Sequence, residues 1–178
     1  KEGCEIKLEP AWELCAGNPS IIVAVVDQPV IYTDPDLKAN MWINEKEVNG
    51  EDGVDDDGNG YVDDIYGFNF ISEYSAITGE NEYIGEIQWD NDSNAKVHGT
   101  HVAGTISAVN NNGVGVCGVA GGTGNNDGVK LMSIQIHGAM ASATTEGTAA
   151  GIQYAANNGA SILQCSWGEP NGRPATEE

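Results

Sequence analysis

The sequence predicts an α/β fold: a parallel β-sheet with helices on both faces. Two observations carry this expectation. Ile21–Val26, Val129–Ile136 and Ile162–Ser166 are short runs rich in aliphatic residues, and the first is uninterrupted, as a strand covered on both faces requires. Helical stripes follow two of the intervening loops, so strand and helix alternate. A length of 178 residues suits one layered core.

Residues 5–18 read as a short first helix around Ala11–Leu14, stopped by Gly17-Asn18-Pro19. Residues 31–95 show little periodicity and much Asp, Asn and Gly, which predicts a long irregular stretch serving function or stapled by ions. From His98, the positions Val102, Ala103, Ile106 and Val109 form a helical stripe that stops at Asn110-Asn111-Asn112-Gly113. Thr144–Asn158 predicts a second helix, with Ala149, Ile152, Tyr154 and Ala155 on its apolar side and Gly159 ending it. Residues 169–178 form a polar tail with no pattern of their own.

The charge balance is lopsided, 27 acidic residues against 7 basic, a formal net charge of −20. Nucleic acid and anionic membranes both demand clustered Lys and Arg, so neither is an expected partner. No apolar stretch approaches the roughly 18 residues of a membrane span, and Lys1-Glu2-Gly3-Cys4 is no leader peptide. Four cysteines occur without a C-x-x-C pair. Cys4 and Cys15 are candidates for a bridge in an oxidising compartment, whereas Cys117 and Cys165 read as small buried hydrophobes.

Reactive groups in an open α/β sheet gather at the carboxyl ends of the strands. Asp27 closes the run Ile21-Ile22-Val23-Ala24-Val25-Val26, and His98 opens the segment His98-Gly99-Thr100-His101-Val102-Ala103-Gly104-Thr105. A carboxylate bonded to one ring nitrogen fixes the tautomer and frees the other nitrogen to take a proton from a nucleophile. His101 is expected to be a structural hydrogen-bonding residue and His137 an exposed loop residue.

Taken together, these segments resemble the N-terminal half of the catalytic domain of subtilisin-like serine peptidases, from about Ala11 to Gly168. Asp34-Pro35-Asp36-Leu37, Gly113–Ala120 and Cys165-Ser166-Trp167-Gly168 resemble further family segments. The resemblance implies a subtilisin-like sheet, incomplete at its C-terminal side, with Asp27 orienting the imidazole and His98 acting as general base and then acid. It implies an extended peptide or protein substrate along Gly138-Ala139-Met140 and Ser166-Trp167-Gly168, and an extracytoplasmic location.

Two departures stand out. Where the family usually has a small hydroxyl residue and glycine after the aspartate, this chain has Gln28-Pro29, and proline fixes φ and donates no backbone hydrogen bond. The family's nucleophile in a Gly-Thr-Ser-Met-Ala context and its oxyanion asparagine have no counterpart among these residues, so residues 1–178 alone are expected to be inactive. Ser166 falls in the pocket-wall motif and is not the nucleophile. The strand edges left open imply a covering C-terminal fragment or a second copy. A non-catalytic calcium- and peptide-binding remnant, and one half of a two-chain protease, are the alternatives.

The acidic stretch within residues 45–95 carries its own signal. Asp55, Asp57 and Asn59 stand at the alternate positions of an EF-hand-like loop, followed by the Tyr61 carbonyl and Asp63. Tyr66 stands where the closing glutamate belongs, and Asp64 is the expected substitute. The expected occupant is a structural calcium ion, with Asp90 and Asp92 as a weaker second position.

Overall fold

The computed structural model describes residues 6–89, 98–138 and 141–168. Five strands form one sheet: β1 (Ile22–Asp27), β2 (Gly67–Tyr74), β3 (Asn81–Gly85), β4 (Lys130–Gln135) and β5 (Ile162–Gln164). Their spatial order is β3-β2-β4-β1-β5, with every pairing parallel except the β2–β3 hairpin. The α/β architecture with a mostly parallel sheet is as expected. β1 lies between β4 and β5, with Val25 opposite both Ser133 and Gln164.

Alternation along β1 sends its side chains to two cores, one per face of the sheet. Ala24 and Val26 join Phe68, Phe70, Met132 and Ile134 beneath α4 (Thr145–Asn157). Val25 joins Leu131, Leu37 and Met41 beneath α3 (His98–Ser107), which contributes Ala103. Helix α4 starts where Thr144 accepts a hydrogen bond from the Gly147 amide. It lies close on the sheet because Gly151 has no side chain: a Cβ there would stand 2.8 Å from Ile134 Cγ2.

The described part of the stretch 31–95, residues 31–89, is more ordered than its composition suggests. It contains β2, β3, the short helix α2 (Glu45–Val48) and a 3₁₀ turn at Lys38–Asn40. The overlooked signal is the period-two placement of Phe68 and Phe70, both of which enter the core under α4. The first helix, α1, is also shorter than expected, Leu8–Trp12. It buries no residue and has no side-chain cap, so little extends it, and Trp12 ties it to the Val119 carbonyl through a 2.8 Å bond from Nε1.

Cys117 and Cys165 are exposed rather than buried. Cys117 sits on the loop after α3, and Cys165 follows β5, an edge strand with no neighbour beyond it among the described residues. Cys4 lies outside the described residues, and the Cys15 thiol donates to the Gly17 carbonyl. On that same edge, Ile162 and Leu163 are 51% and 39% exposed. No helix among the described residues is long and apolar enough to cross a membrane.

Replacing Gly151 by valine forces α4 off Ile134 and Phe70. The expected cost is about 1–3 kcal/mol of stability, read as a lower urea midpoint at unchanged slope.

Candidate active site and acidic cluster

The carboxyl end of β1 meets the amino end of α3. Asp27 is the last residue of β1, its side chain 2% exposed, and its carbonyl accepts from the Ile136 and His137 amides. His98 is the first residue of α3 and its side chain is 52% exposed. The two meet at 2.7 Å between His98 Nδ1 and Asp27 Oδ1. A buried carboxylate at that distance selects the tautomer with the proton on Nδ1, leaving Nε2 as an acceptor. Sequence reasoning singled out both residues, and the fold brings them together.

Further hydrogen bonds brace Asp27 and lock the segment leaving β1 to α3. The Gln28 amide donates to Asp27 Oδ1 at 2.6 Å, and Gln28 Oε1 accepts from the His98 amide at 3.2 Å. Thr100 Oγ1 donates to the Pro29 carbonyl and accepts from the Ile31 amide. Gly99 is the close-packing position, since a Cβ there would collide with the Gln28 carbonyl. Gly104, by contrast, faces open space, so it plays no part in tight packing of this helix. His101 is exposed, and among the described residues its carbonyl accepts from Thr105 Oγ1 at 3.1 Å while its side chain makes no hydrogen bond.

The described residues of the two expected substrate-binding segments, Gly138 and Ser166–Gly168, lie beside this end of the sheet. Gly138 follows β4 and its amide donates to the Ala141 carbonyl, while Ala139 and Met140 lie outside the described residues. Ser166 Oγ accepts from Gln164 Nε2. Trp167 Nε1 donates to the Val26 carbonyl at 2.7 Å, and its ring stands edge-on to His137 with centroids 6.1 Å apart. His137 is half-buried rather than exposed, held by Ser142 at 2.9 Å. Gly168 is exposed, with open space around it. Partial desolvation, reinforced by the charge of Asp27, pushes the neighbouring Cys165 thiol up.

Asp36, within the segment Asp34-Pro35-Asp36-Leu37, organises the loop that leaves the C-terminal end of α3. Asp36 is buried and accepts from Asn112 Nδ2 at 2.7 Å and the Val116 amide at 2.8 Å, so it holds the loop after the helix. Its only sequence signal was its place in Asp34-Pro35-Asp36-Leu37.

The acidic stretch folds against the edge of the core under α4. Glu47, Asp57 and Asp64 each place one carboxylate oxygen within 4.8 Å of the others. Asn44 Nδ2 donates to Asp57 at 2.9 Å and to Asp64 at 2.7 Å, and Asn59 Nδ2 donates to Asp64 at 2.9 Å. The Tyr154 hydroxyl, reaching down from α4, donates to Asp64 at 2.6 Å. Burial pushes Asp64 above the usual carboxylate range, against the pull of those three donors. Burial likewise keeps the Tyr154 hydroxyl protonated far above its ordinary range.

The other expected ligands are placed differently. Asp55 accepts from the Gly58, Asn59 and Gly60 amides; these bonds, led by that from Gly60, hold it below the usual range. Asp63 accepts from the Gly53 amide. The Tyr61 ring packs edge-on against Phe68, Phe70 and Tyr154. Glu47 was not legible as a ligand, because it stands on α2, ten residues ahead of Asp57. Asp90 and Asp92 lie outside the described residues.

The ligand atoms that Glu47, Asp57 and Asp64 offer are all carboxylate oxygens, and a cation would relieve the repulsion between buried Asp64 and Asp57. That chemistry fits a hard divalent ion. Glu47 would supply a ligand only by giving up bonds from the Asp56, Asp57 and Asp63 amides or sharing oxygens with them.

Comparison with known proteins places the chain. A sequence model described as the Subtilase family matches residues 18–178. Subtilisin-like protease 1 of Plasmodium berghei is 40% identical over 115 residues, covering 64% of this chain and 17% of that protein. Halolysin of Haloferax mediterranei is 30% identical over 164 residues, covering 92% of this chain and 24% of that protein. The crystal structure of fervidolysin from Fervidobacterium pennivorans, a keratinolytic enzyme related to subtilisin, aligns with TM-score 0.51 and 28% identity. That alignment covers 93% of this chain and 19% of fervidolysin, so the chain spans a quarter or less of each of these proteins. Sequence, fold and the order of Asp27 before His98 agree: the chain belongs to the subtilase family.

Proposed function

We propose that these residues supply the acid and base of the catalytic triad of a serine endopeptidase. The observation that carries this reading is the 2.7 Å bond between buried Asp27 and the exposed imidazole of His98. His98 Nε2 takes the proton of a serine hydroxyl as that oxygen attacks the scissile carbonyl, then returns it to the leaving amine. Asp27 keeps the ring in the productive tautomer and stabilises the imidazolium that forms. The serine and the oxyanion asparagine are provided outside residues 1–178, which on their own are inactive.

The substrate is an extended peptide lying along residues 138–140 and 166–168, with Trp167 beside the pocket for the residue before the scissile bond. A further segment of the natural polypeptide, or a second chain, pairs with the exposed edge at Ile162 and Leu163. We place the enzyme outside the cytoplasm, in keeping with the resemblance and with the acidic surface. Calcium is the resident cation, held by Glu47, Asp57 and Asp64 with Asn59 beside them. When bound, it would neutralise converging carboxylates and fix the loop; it takes no part in the proton transfers.

In the complete natural enzyme, Asp27→Asn is expected to lower kcat by about 10⁴-fold, because the imidazole loses its tautomer. His98→Ala is expected to lower it by about 10⁶-fold, measured on a chromogenic peptide. Near-normal turnover by either variant would overturn the assignment.

Calcium at about a hundred times its dissociation constant is expected to add ~2.7 kcal/mol. For a domain of this size that is a rise of roughly 5–10 °C in Tm. Asp64→Asn is expected to abolish most of the rise, and an unchanged response in that variant would move the cation elsewhere.

A further inference from the structure

The structure assigns Gln28 as a positioning residue for the catalytic pair, acting through the backbone of His98 as well as the carboxylate of Asp27. The inference rests on the acid–base reading of Asp27 and His98 proposed above.

His98 opens α3, so its N–H is one of the amides for which the helix itself offers no carbonyl. Gln28 Oε1 accepts that N–H at 3.2 Å. The same residue's own N–H donates to Asp27 Oδ1 at 2.6 Å, the oxygen that also receives His98 Nδ1. Its carbonyl packs against Gly99 at a distance that tolerates no Cβ. One residue thus contacts the acid's carboxylate, the base's backbone and the residue after the base.

The glutamine side chain is what makes this reach possible. A small hydroxyl residue, the usual occupant after the family's aspartate, ends two bonds from its Cα. The carboxamide oxygen of Gln28 ends two bonds farther out, long enough to leave its own turn and meet α3. Pro29, which follows, fixes φ and has no N–H to satisfy, and its carbonyl accepts from Thr100 Oγ1 at 3.2 Å. The departure at Gln28-Pro29 is therefore a second way of lashing β1 to the helix that carries the base. An imidazole whose helix end is anchored stays within reach of Asp27, and small misplacements of a catalytic group are costly.

The test compares Gln28→Met, which keeps length and loses the acceptor, with Gln28→Glu, which keeps an acceptor. Both are made in the complete natural enzyme, with kcat expressed per active site titrated by a serine-directed fluorophosphonate. The loss of a helix-end acceptor predicts a kcat for Gln28→Met about threefold to thirtyfold below wild type, with KM unchanged. Gln28→Glu is expected to return kcat to within about twofold of wild type, an acceptor being favourable at a helix N-terminus.

A merely structural role would lower Tm and the number of titratable sites while leaving kcat per site untouched, and that outcome overturns the proposal. Equal losses in the two variants, or a change confined to KM, overturn it as well. His98→Ala in the same enzyme separates the two claims. Activity surviving in His98→Ala would refute the acid–base reading itself. A dead His98→Ala beside a fully active Gln28→Met refutes only the positioning role.

Discussion

The hydrogen bond between a carboxylate buried under the sheet's edge and an imidazole open to solvent governs the arrangement of the whole site. It joins the last residue of the inner strand β1 to the first residue of α3, two points 71 residues apart in the chain. Each partner is held from behind. Parallel pairing with β4 and β5 fixes β1, and the Ile136 and His137 amides bind the Asp27 carbonyl. Gly99, Thr100 and Ala103 seat α3 against the segment leaving β1 and the core below it. The imidazole itself needs only one contact to be aimed, because the backbone beneath it is already in place.

Much of this was legible in the sequence, for a physical reason. An uninterrupted aliphatic run means a strand covered on both faces, and an aspartate closing it must lie at the carboxyl edge where a second loop returns. The Val129–Ile136 run and the Thr144–Asn158 stripe were equally plain, and they became β4 and α4 with Thr144 as the cap, although Ala149, expected on the apolar side, faces solvent. The β2–β3 hairpin was obscured because its phenylalanines are embedded in a stretch dominated by Asp, Asn and Gly. There, the parallel pairing of Gly67–Asn69 with Ser133–Gln135 and the packing of Phe68 and Phe70 reveal a strand. The cysteines after α3 and β5 were misjudged for a related reason: apolar neighbours in sequence do not imply cover in space.

The acidic loop shows what spacing can and cannot say. Alternate oxygen-bearing residues described a loop that wraps its own amides, as Asp55 does. Which carboxylates converge is instead set by tertiary structure: α2 brings Glu47, and α4 brings Tyr154 onto Asp64. Asp64 is thereby shared between a candidate cation site and the main core, so loop order and core packing are joined through one buried carboxylate. Gln28 follows the same logic: a departure from the usual residue pattern is explained by the first residue of α3, whose amide donates to it.

The central claim is that Asp27 and His98 activate a serine that residues 1–178 do not contain. The direct measurement is to label the native protein with a fluorophosphonate and locate the adduct by peptide mass spectrometry. The account predicts a single adduct on a serine outside these residues, lost when His98 is replaced by alanine. An adduct on Ser166, or no adduct on the folded native protein, would contradict it.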